Sequence, residues 1–435
     1  MTGIFGRLWL CMSIVGVACT SKAASEGPSD TVTGDTATSD VGPGADGSTS
    51  ACTAMVLPAD TSEATYNAIQ VQLGDATTGT VVCLGAGEYP IQHELTIVHD
   101  GVTLRGPTTG EAVINFLGQK DGDQAIHVNA ANTVVLENFT VRNAKGDGIR
   151  LTACKDGILR NLKVTWDGGS STKNGGYGLY PVQSERILID GCTVSYASDA
   201  GLYVGQSSHV EVKNSEAFGN VAGIELENTS DSTVHDCKAH DNTGGILVFN
   251  LPNLPVQGGA RCTVHDNLVT NNNTQNFGAS SSIVSQVPTG TGILVMAADS
   301  NEIFKNTVSG NESYGLAIAA YSVIADSNWK GSAGYDEFPE SNFVHDNSFS
   351  GNGKNPQGLL ATAMVILKLT SLEDMIWDGL LDSKKDNGKG QLRNCFSKNN
   401  GTFRFLDYAN VGKNSSTDVT PWNCTYPALP AFSLP

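Results

Sequence analysis

Side chains that can bind or react with a sugar recur in this chain at nearly equal intervals. Arg150, Tyr180, Tyr203 and Glu225 each stand two residues after a glycine, and Asp199 lies just before one of those glycines. Tyrosine rings stack on sugar faces, and phenol, carboxyl and guanidinium groups hold or exchange protons with a substrate. Arg150, Tyr180, Tyr203 and Asp199 are therefore candidate catalytic residues.

A second polar column accompanies the first. Gln183 and Gln206 lie three residues after Tyr180 and Tyr203, and Asn228 and Asn250 take the equivalent places in the next two copies. Amides hydrogen-bond sugar hydroxyls, but stacked amides also stabilise solenoid turns by bonding one another. The first hypothesis predicts a glycan-binding strip made of Tyr177, Tyr180, Gln183, Tyr203, Gln206, Glu225, Asn228 and Asn250.

Two groups of residues have side chains that bind metals. His235, His265 and His345 each follow an apolar residue and precede Asp, and adjacent turns would bring the first two together. Carboxylates could form a calcium site, although acids on polar turns are usually solvated. We expect no cofactor, and the acidic residues would permit calcium. The candidate calcium ligands are Glu225, Glu227, Asp231 and Asp241.

A repeat positions these residues. Gly201 and Gly223 are 22 residues apart, as are Gly223 and Gly245, and each begins a short strand. In each copy the apolar residues point inward and the residue between them points outward. The outward column therefore continues from Glu225 through Leu247, Leu294 and Ala317. The copies are Gly148-Ile-Arg-Leu, Gly178-Leu-Tyr-Pro, Gly201-Leu-Tyr-Val, Gly223-Ile-Glu-Leu, Gly245-Ile-Leu-Val, Gly292-Ile-Leu-Val and Gly315-Leu-Ala-Ile.

A second set of alternating strands lies between the glycines, for example Val210-Glu-Val-Lys-Asn and Ile303-Phe-Lys-Asn. Short strands in every 22-residue unit leave no room for a helix. The pattern predicts an all-β fold, a right-handed parallel β-helix solenoid of about ten turns. A helix over residues 62–75 would cap its start, and a capped helix from Ser371 within a C-terminal capping extension would close its far end.

Four insertions interrupt the period, at residues 166–176, 251–259, 274–290 and 326–340. Loops inserted into a solenoid can form the walls of a binding face. They can equally serve to cover the surface.

The regions outside the repeat indicate export. Residues 1–19 resemble a bacterial lipoprotein signal peptide, which implies lipidation of Cys19, and residues 20–51 form a flexible Ser/Thr/Gly/Asp tether. The β-helix is predicted over 52–356, and a C-terminal cap with a disulfide-pinned tail over 357–435. This places the protein in the bacterial cell envelope, either anchored to the outer membrane by lipid or periplasmic. We expect it to be a monomer.

The cysteines and the net charge limit the remaining alternatives. We predict disulfides Cys395–Cys424 and Cys52–Cys83, as an exported chain permits. Cys192 and Cys237 occupy the same repeat position two turns apart, about 9.6 Å by the strand spacing, and should be stacked core residues. The net charge of −18 excludes nucleic acid as a partner.

The repeat resembles the pectate-lyase-like superfamily of parallel β-helices. Residues 176–182 are similar to a Tyr-Gly-Phe-Asp-Pro-His segment of the mannuronan C5-epimerases, of which Tyr177, Gly178 and Pro181 carry over. This chain has Tyr180 where that family has its catalytic Asp and Val182 where it has its catalytic His. The resemblance implies an enzyme acting on acidic polysaccharide, and the missing pair weakens that implication.

A longer resemblance, over residues 52–435, is to a family of exported β-helix-repeat proteins of unassigned function. It rests on residues 175–184, 198–207 and 244–252 and on the final Pro421-Trp-Asn-Cys. The resemblance implies a partner, an exported c-type cytochrome-like protein, but no chemistry.

Two functions are compatible with the sequence. One is a binding protein that holds a glycan or an exported protein through the Tyr/Gln/Asn strip, and the missing Asp and His favour it. The other is a polysaccharide lyase or C5-epimerase acting on an acidic polysaccharide. A walled site holding Arg150, Tyr180 and Glu225 would favour the enzyme, whereas an open row of tyrosines would favour the binding protein.

Overall fold

The computed structural model describes residues 51–325, 331–386 and 390–434. The predicted signal peptide with Cys19, and the tether up to residue 50, lie outside the described residues. In the described part of the chain, almost every element is a short strand, and successive strands wind into three parallel sheets of 12, 10 and 11 strands. The predicted parallel β-helix is confirmed.

In chain order the first strands are β1 (Ala54–Val56), β2 (Val81–Leu84), β3 (Gly87–Pro90), β4 (Leu95–Ile97), β5 (Thr103–Arg105), β6 (Ala112–Asn115), β7 (Gln124–Asn129), β8 (Val135–Glu137), β9 (Thr140–Arg142), β10 (Asp147–Thr152), β11 (Ile158–Arg160), β12 (Lys163–Thr165), β13 (Tyr177–Val182), β14 (Leu188–Asp190), β15 (Thr193–Ser195), β16 (Ala200–Gly205) and β17 (Glu211–Lys213). They are followed by β18 (Glu216–Phe218), β19 (Ala222–Glu227), β20 (Thr233–His235), β21 (Lys238–His240), β22 (Gly244–Phe249), β23 (Thr263–His265), β24 (Leu268–Thr270), β25 (Thr291–Met296), β26 (Glu302–Phe304), β27 (Thr307–Ser309), β28 (Tyr314–Ala319), β29 (Phe343–His345), β30 (Ser348–Ser350), β31 (Met375–Trp377), β32 (Cys395–Ser397) and β33 (Phe403–Phe405). The helices are α1 (Ser62–Gly74), α2 (Leu359–Leu367) and α3 (Ser383–Asp386).

Each complete turn contributes one strand to each sheet. Sheet 1 runs β1-β2-β5-β8-β11-β14-β17-β20-β23-β26-β29-β32, sheet 2 runs β3-β6-β9-β12-β15-β18-β21-β24-β27-β30, and sheet 3 runs β4-β7-β10-β13-β16-β19-β22-β25-β28-β31-β33. Sheet 3 carries the Gly-apolar-x-apolar strands, most of them six residues long. The 47-residue interval between Gly245 and Gly292 is one turn with two long loops.

The interior is filled by the alternating apolar residues. In β10, Ile149 and Leu151 are buried in the core, while Arg150 between them is partly exposed. Burial of apolar area at about 25 cal/mol per Å² is the main stabilising contribution in such a stack. Since each unit buries its apolar face only against its neighbours, stability is distributed along the helix axis.

Asparagine ladders stabilise the three corners. Within each ladder, every asparagine but the last donates through Nδ2 to Oδ1 of the asparagine one turn further on, at 2.9–3.0 Å. One ladder lies at each corner, so the amide stacking expected of a solenoid is present, but not in the predicted Gln183–Asn250 column. The ladders are Asn220, Asn242, Asn272, Asn311 and Asn352; Asn267, Asn306, Asn347 and Asn399; and Asn301, Asn342 and Asn394.

The two ends differ in how well they were predicted. Helix α1 caps the first turn over nearly the predicted range, beginning after Thr61, whose Oγ1 accepts from the Ala64 N–H. The helix predicted from Ser371 is wrong. That segment contains β31, because its Met-Ile-Trp run adds a strand to sheet 3, and the helix of this region is α2. The parallel ladder therefore continues beyond residue 356.

Both predicted disulfides are confirmed, Cys52–Cys83 and Cys395–Cys424. Cys192 and Cys237 are buried and unbonded, as predicted for stacked core residues. From the second disulfide the tail returns along sheet 1, where the Leu434 N–H donates to Glu211 Oε2 at 2.5 Å. Among the residues that the structure describes, no helix has the length and apolar character needed to cross a membrane.

Candidate functional site

The outward column of sheet 3 is assembled as the sequence predicted. The backbone register pairs Arg150 with Tyr180, Tyr203 with Glu225, and Glu225 with Leu247. Its accessibility changes along the helix axis, because Arg150 and Tyr180 are partly exposed whereas Tyr203 is 3% and Glu225 1% exposed. The predicted binding strip therefore continues beneath other parts of the chain.

Three tyrosines pack against one another at this transition. The ring centroid of Tyr177 lies 4.6 Å from that of Tyr180 and 4.5 Å from that of Tyr203, and Tyr180 and Tyr203 meet edge to face at 4.7 Å. The Arg150 guanidinium lies over the Tyr180 ring, 4.8 Å from its centroid. Tilted and edge-to-face aromatic contacts, together with a cation–π contact, fix ring orientation in addition to burying area.

Behind the rings lie three carboxyl groups, of which Glu225 and Glu227 are buried and Asp199 is half-buried. The Tyr203 hydroxyl donates to Glu227 Oε1 at 2.8 Å, and the Ser282 hydroxyl donates to Asp199 Oδ2 at 2.7 Å. Among the described residues, Glu225 Oε2 and Asp199 Oδ1 are buried without a hydrogen-bond partner. We call Tyr177, Tyr180, Tyr203, Asp199, Glu225 and Glu227 the tyrosine–carboxyl cluster.

Burial holds these carboxyl groups near their neutral form. It raises the pKa of Glu227 to about 7, against the lowering effect of the Tyr203 hydrogen bond, and that of Asp199 to about 6. Burial, together with the neighbouring charges of Asp199 and Glu227, raises the pKa of Glu225 well above its usual range. The raised pKa values reduce the negative charge of the cluster near neutral pH, which lowers its repulsion of an anion.

Asp147 belongs to the same site, and sequence reasoning missed it. Its Oδ1 accepts from the Tyr177 N–H at 3.3 Å, and burial raises its pKa to about 7 while Arg150 lowers it. Asp147 remains partly exposed. The sequence did contain a signal for it, because Asp147 directly precedes Gly148 just as Tyr177 directly precedes Gly178. Ser282 was missed as well, because it reaches Asp199 from 83 residues away.

The predicted amide column has a structural role at its inner end. Asn228 Nδ2 donates to the carbonyls of Leu251 and Val256, and Asn250 Nδ2 donates to the carbonyls of Gly259 and Ala297. These bonds fasten the loop of residues 251–259 along one border of sheet 3. Gln206 Oε1 accepts from the Val256 N–H at 3.2 Å, and Gln183 is exposed.

The four acids predicted to bind calcium do not meet. Glu225 and Glu227 lie on sheet 3, whereas Asp231 pairs with Arg261 beside sheet 1 and Asp241 pairs with His240 beside sheet 2. The prediction of that four-residue set is wrong, because the turns between the strands carry Asp231 and Asp241 to other corners. In the described residues, Asp299, Asp336 and Glu340 do converge, with the Lys385 ammonium group beside them.

The predicted histidine neighbours do come together. The rings of His235 and His265 are stacked with centroids 4.9 Å apart on sheet 1. Three of their ring nitrogens contact carboxylates. Nδ1 of each histidine contacts the aspartate that follows it, and His235 Nε2 contacts Glu211 Oε1 at 3.0 Å.

Replacing Gly205 by alanine should displace Tyr203. A Cβ at this position would lie 2.3 Å from Tyr203 Cε1 and 2.4 Å from its hydroxyl oxygen, because the ring crosses Gly205 to reach Glu227. We expect loss of the Tyr203–Glu227 hydrogen bond and a further rise in the pKa of Glu227 from about 7. Carbon-13 NMR of the carboxyl groups would measure this pKa, with the Glu227 signal identified by its absence from the Glu227→Gln variant. Gly74→Ala is the control, because a Cβ at Gly74 would have nothing within 4 Å. An unchanged Glu227 titration in Gly205→Ala would show that the Tyr203 ring does not hold that carboxyl.

Glu225→Gln should stabilise the protein at pH 8. The folded chain keeps its proton on Glu225 at pH values where the unfolded chain, with the ordinary pKa of 4.5, has released it. The stability that Glu225 contributes is therefore complete below about pH 4.5 and is lost as the pH rises. Since glutamine mimics the protonated form, we expect a gain in unfolding free energy at pH 8 and little change at pH 4.5, measured by urea unfolding.

Glu211→Gln is the matched control. Glu211 is also 1% exposed, but its carboxylate contacts the Lys213 ammonium at 3.2 Å and His235 at 3.0 Å. Removing a paired buried charge leaves its partners uncompensated, so this variant should lose stability at pH 8. A loss for Glu225→Gln as well would contradict the assignment of Glu225 as an unpaired buried acid.

Comparisons with known proteins agree with the architecture. A family model described as "Right handed beta helix region" matches residues 124–286, and no curated protein gives a significant match. The A-module of a mannuronan C-5 epimerase from Azotobacter vinelandii superposes with a TM-score of 0.52 at 18% identity, covering 77% of this chain and 90% of that chain. A polygalacturonase from Erwinia carotovora ssp. carotovora gives 0.50 at 11% identity, covering 85% and 97%. At these identities the likeness establishes the fold.

Proposed function

We propose that this right-handed parallel β-helix protein binds an acidic polysaccharide on the accessible part of sheet 3 and catalyses proton transfer on the bound sugar. The observation that carries the proposal is the meeting of Asp147, Arg150 and Tyr180 on adjoining turns, at the last accessible positions before the buried carboxyl groups. A cluster of acids with raised pKa values in one place on a surface is typical of an active site.

Each of the three residues has a role that its chemistry supports. The Arg150 guanidinium can pair with a uronate carboxylate and so acidify the neighbouring C–H bond. Asp147, with a pKa of about 7, is partly ionised at neutral pH and suited to take that proton. The pKa of Tyr180 is raised to about 12, chiefly by burial, so its phenol is protonated and can donate.

The fate of the carbanion decides the reaction class. Return of a proton to the opposite face of the carbon gives the C5 epimer. Loss of the 4-linked sugar, with its oxygen protonated by Tyr180, gives an unsaturated uronate and is a lyase reaction. The solved structures that share the fold include a mannuronan epimerase and a polygalacturonase, so the architecture is compatible with a polysaccharide substrate. We expect catalysis without a cofactor, so EDTA should leave turnover unchanged.

Proton NMR in D₂O of the full chain with alginate and with polygalacturonate tests the proposal. Loss of the H-5 signal or appearance of olefinic resonances is expected. Asp147→Asn should lower the rate by about 10²–10⁴-fold, the usual contribution of a general base. Asp156→Asn, which changes an exposed carboxylate paired with Arg186 on another side of the β-helix, should retain the native rate. Equal rates for the two variants would exclude Asp147 as the base.

A glycan-binding protein without catalysis is the second candidate. The half-buried Tyr177 and Tyr180 rings, 4.6 Å apart, offer an aromatic surface for a sugar. Line broadening of the polymer signals without new resonances would support this function. If neither polymer responds, the exported c-type cytochrome-like partner becomes the next binding test.

Export is supported by the two disulfides, since such bonds form and persist in oxidising compartments. Attachment to the membrane through lipid on Cys19 remains a prediction. Labelling of cells with palmitate, compared between the native chain and Cys19→Ala, would test it.

A further inference from the structure

The accessible part of sheet 3 ends abruptly along the helix axis. In the outward column, His127, Arg150 and Tyr180 are partly exposed, whereas the following Tyr203 and Glu225 are buried. Beyond Glu225 the same column is apolar and buried, with Leu247, Leu294, Ala317 and Ile376 in register. We call His127, Arg150, Tyr177 and Tyr180 the open floor.

The loop of residues 274–290, which we call the wall, closes the floor at one end. Val284 and Val287 of the wall are buried against the same apolar cluster as Tyr203, Leu247 and Leu294. This second core lies on the outside of sheet 3. A hydrocarbon contact of this kind is packed like a protein interior and excludes a polymer chain.

The wall is also fastened by hydrogen bonds. Asn276 Nδ2 donates to the carbonyls of Val284 and Val287, at 2.9 Å each, and its Oδ1 accepts from the Gly278 N–H. Ser282 ties the wall to Asp199, beside the tyrosine rings. The Asn276 bonds therefore hold the shape of the wall, and the Ser282 bond attaches it to the turn before β16.

The far side of the wall is covered as well. Leu251 and Phe277 pack on the outer apolar cluster, and the Tyr335 hydroxyl donates to the Asn250 carbonyl at 2.7 Å. The polar floor therefore does not continue on the other side of the wall. A polysaccharide lying along the floor would have to stop at Tyr203.

From this geometry we infer that the site takes the terminal residue of a polysaccharide chain. Asp147, Arg150 and Tyr180 lie directly before the wall, so the sugar that they contact is the last one of the chain. The inference rests on the proposed function. It adds which part of the polysaccharide the site recognises, namely a chain end and not an internal linkage. It holds for a binding site as well as for an enzyme.

Binding stoichiometry on size-fractionated polygalacturonate and alginate tests the inference. Calorimetric titration of the full chain with short and long fractions, at equal mass concentration, counts the sites. We expect the number of protein molecules bound to follow the number of chains and not their length. Stoichiometry that rises with length at a fixed number of chains would overturn the inference and leave the proposed function standing. Absence of binding to either polymer would instead overturn the proposed function.

Modified chain ends provide a second measurement. One set of oligogalacturonates carries 2-aminobenzamide on the reducing end, and the other carries an unsaturated uronate at the non-reducing end. One modification should weaken binding at least 10-fold and the other should not, which also gives the direction of the chain. Equal affinity for both sets and for unmodified oligomers would contradict end recognition.

Discussion

Gly175→Ala is expected to cost the protein about 3 kcal/mol or more of unfolding free energy. A Cβ on Gly175 would lie 1.5 Å from the carbonyl oxygen of Gly146 on the preceding turn and 2.8 Å from the Trp166 ring. Because the nearest obstacle is backbone, two turns of the solenoid would have to separate. Urea unfolding measures the loss.

Gly175→Ala should also disturb the site. The Gly175 carbonyl accepts from the Ser198 N–H at 2.9 Å, which holds the turn that carries Asp199, and β13 with Tyr177 begins two residues later. Gly74→Ala, where nothing lies within 4 Å, should leave stability unchanged or slightly higher. A Gly175→Ala protein as stable as the native chain would mean that these turns adjust their spacing freely.

Asn306→Ala is expected to lose about 4 kcal/mol, because several buried polar groups would lose their partner and each costs about 1–3 kcal/mol. Asn306 is fully buried. Its Nδ2 donates to the Val264 carbonyl at 2.8 Å and to Asn347 Oδ1 at 2.9 Å, and its Oδ1 accepts from the backbone N–H and Nδ2 of Asn267. Thermal and urea unfolding would measure the loss.

Cys237→Asn provides the matched control within the same corner. Cys237 lies two turns before Asn306 and its N–H already donates to Asn267 Oδ1 at 3.0 Å. An asparagine here would extend the ladder by one amide, so stability should be retained. If Asn306→Ala is tolerated equally well, the ladder is not a main source of stability at this corner.

The amino-acid sequence by itself determined the repeat and the local features that a repeat dictates. Inward and outward positions alternate by backbone geometry, so Arg150, Tyr180, Tyr203 and Glu225 had to share one outward column once the 22-residue period was recognised. The N-terminal helix and the two disulfides were likewise predictable, because capping and cysteine placement act over short distances or at the chain's ends.

The tertiary structure alone decided which part of that column is accessible. The period says nothing about where an insertion folds. The wall reaches back several turns, so that Ser282 meets Asp199 and the wall valines pack in the same apolar cluster as Tyr203. Burial then raised the pKa values of the carboxyl groups, an effect of the surroundings and not of residue type.

Local pattern misled where two structures compete for the same residues. The segment from Ser371 has a helix-capping pattern, yet Met375–Trp377 forms a strand because the edge of sheet 3 offers backbone partners and a buried face. Asp147 went unrecognised because a lone acid before a glycine is common, and its role depends on Arg150, Tyr177 and the neighbouring turns. Local sterics set the periodicity that a sequence displays, whereas long-range packing assigns burial, charge state and access.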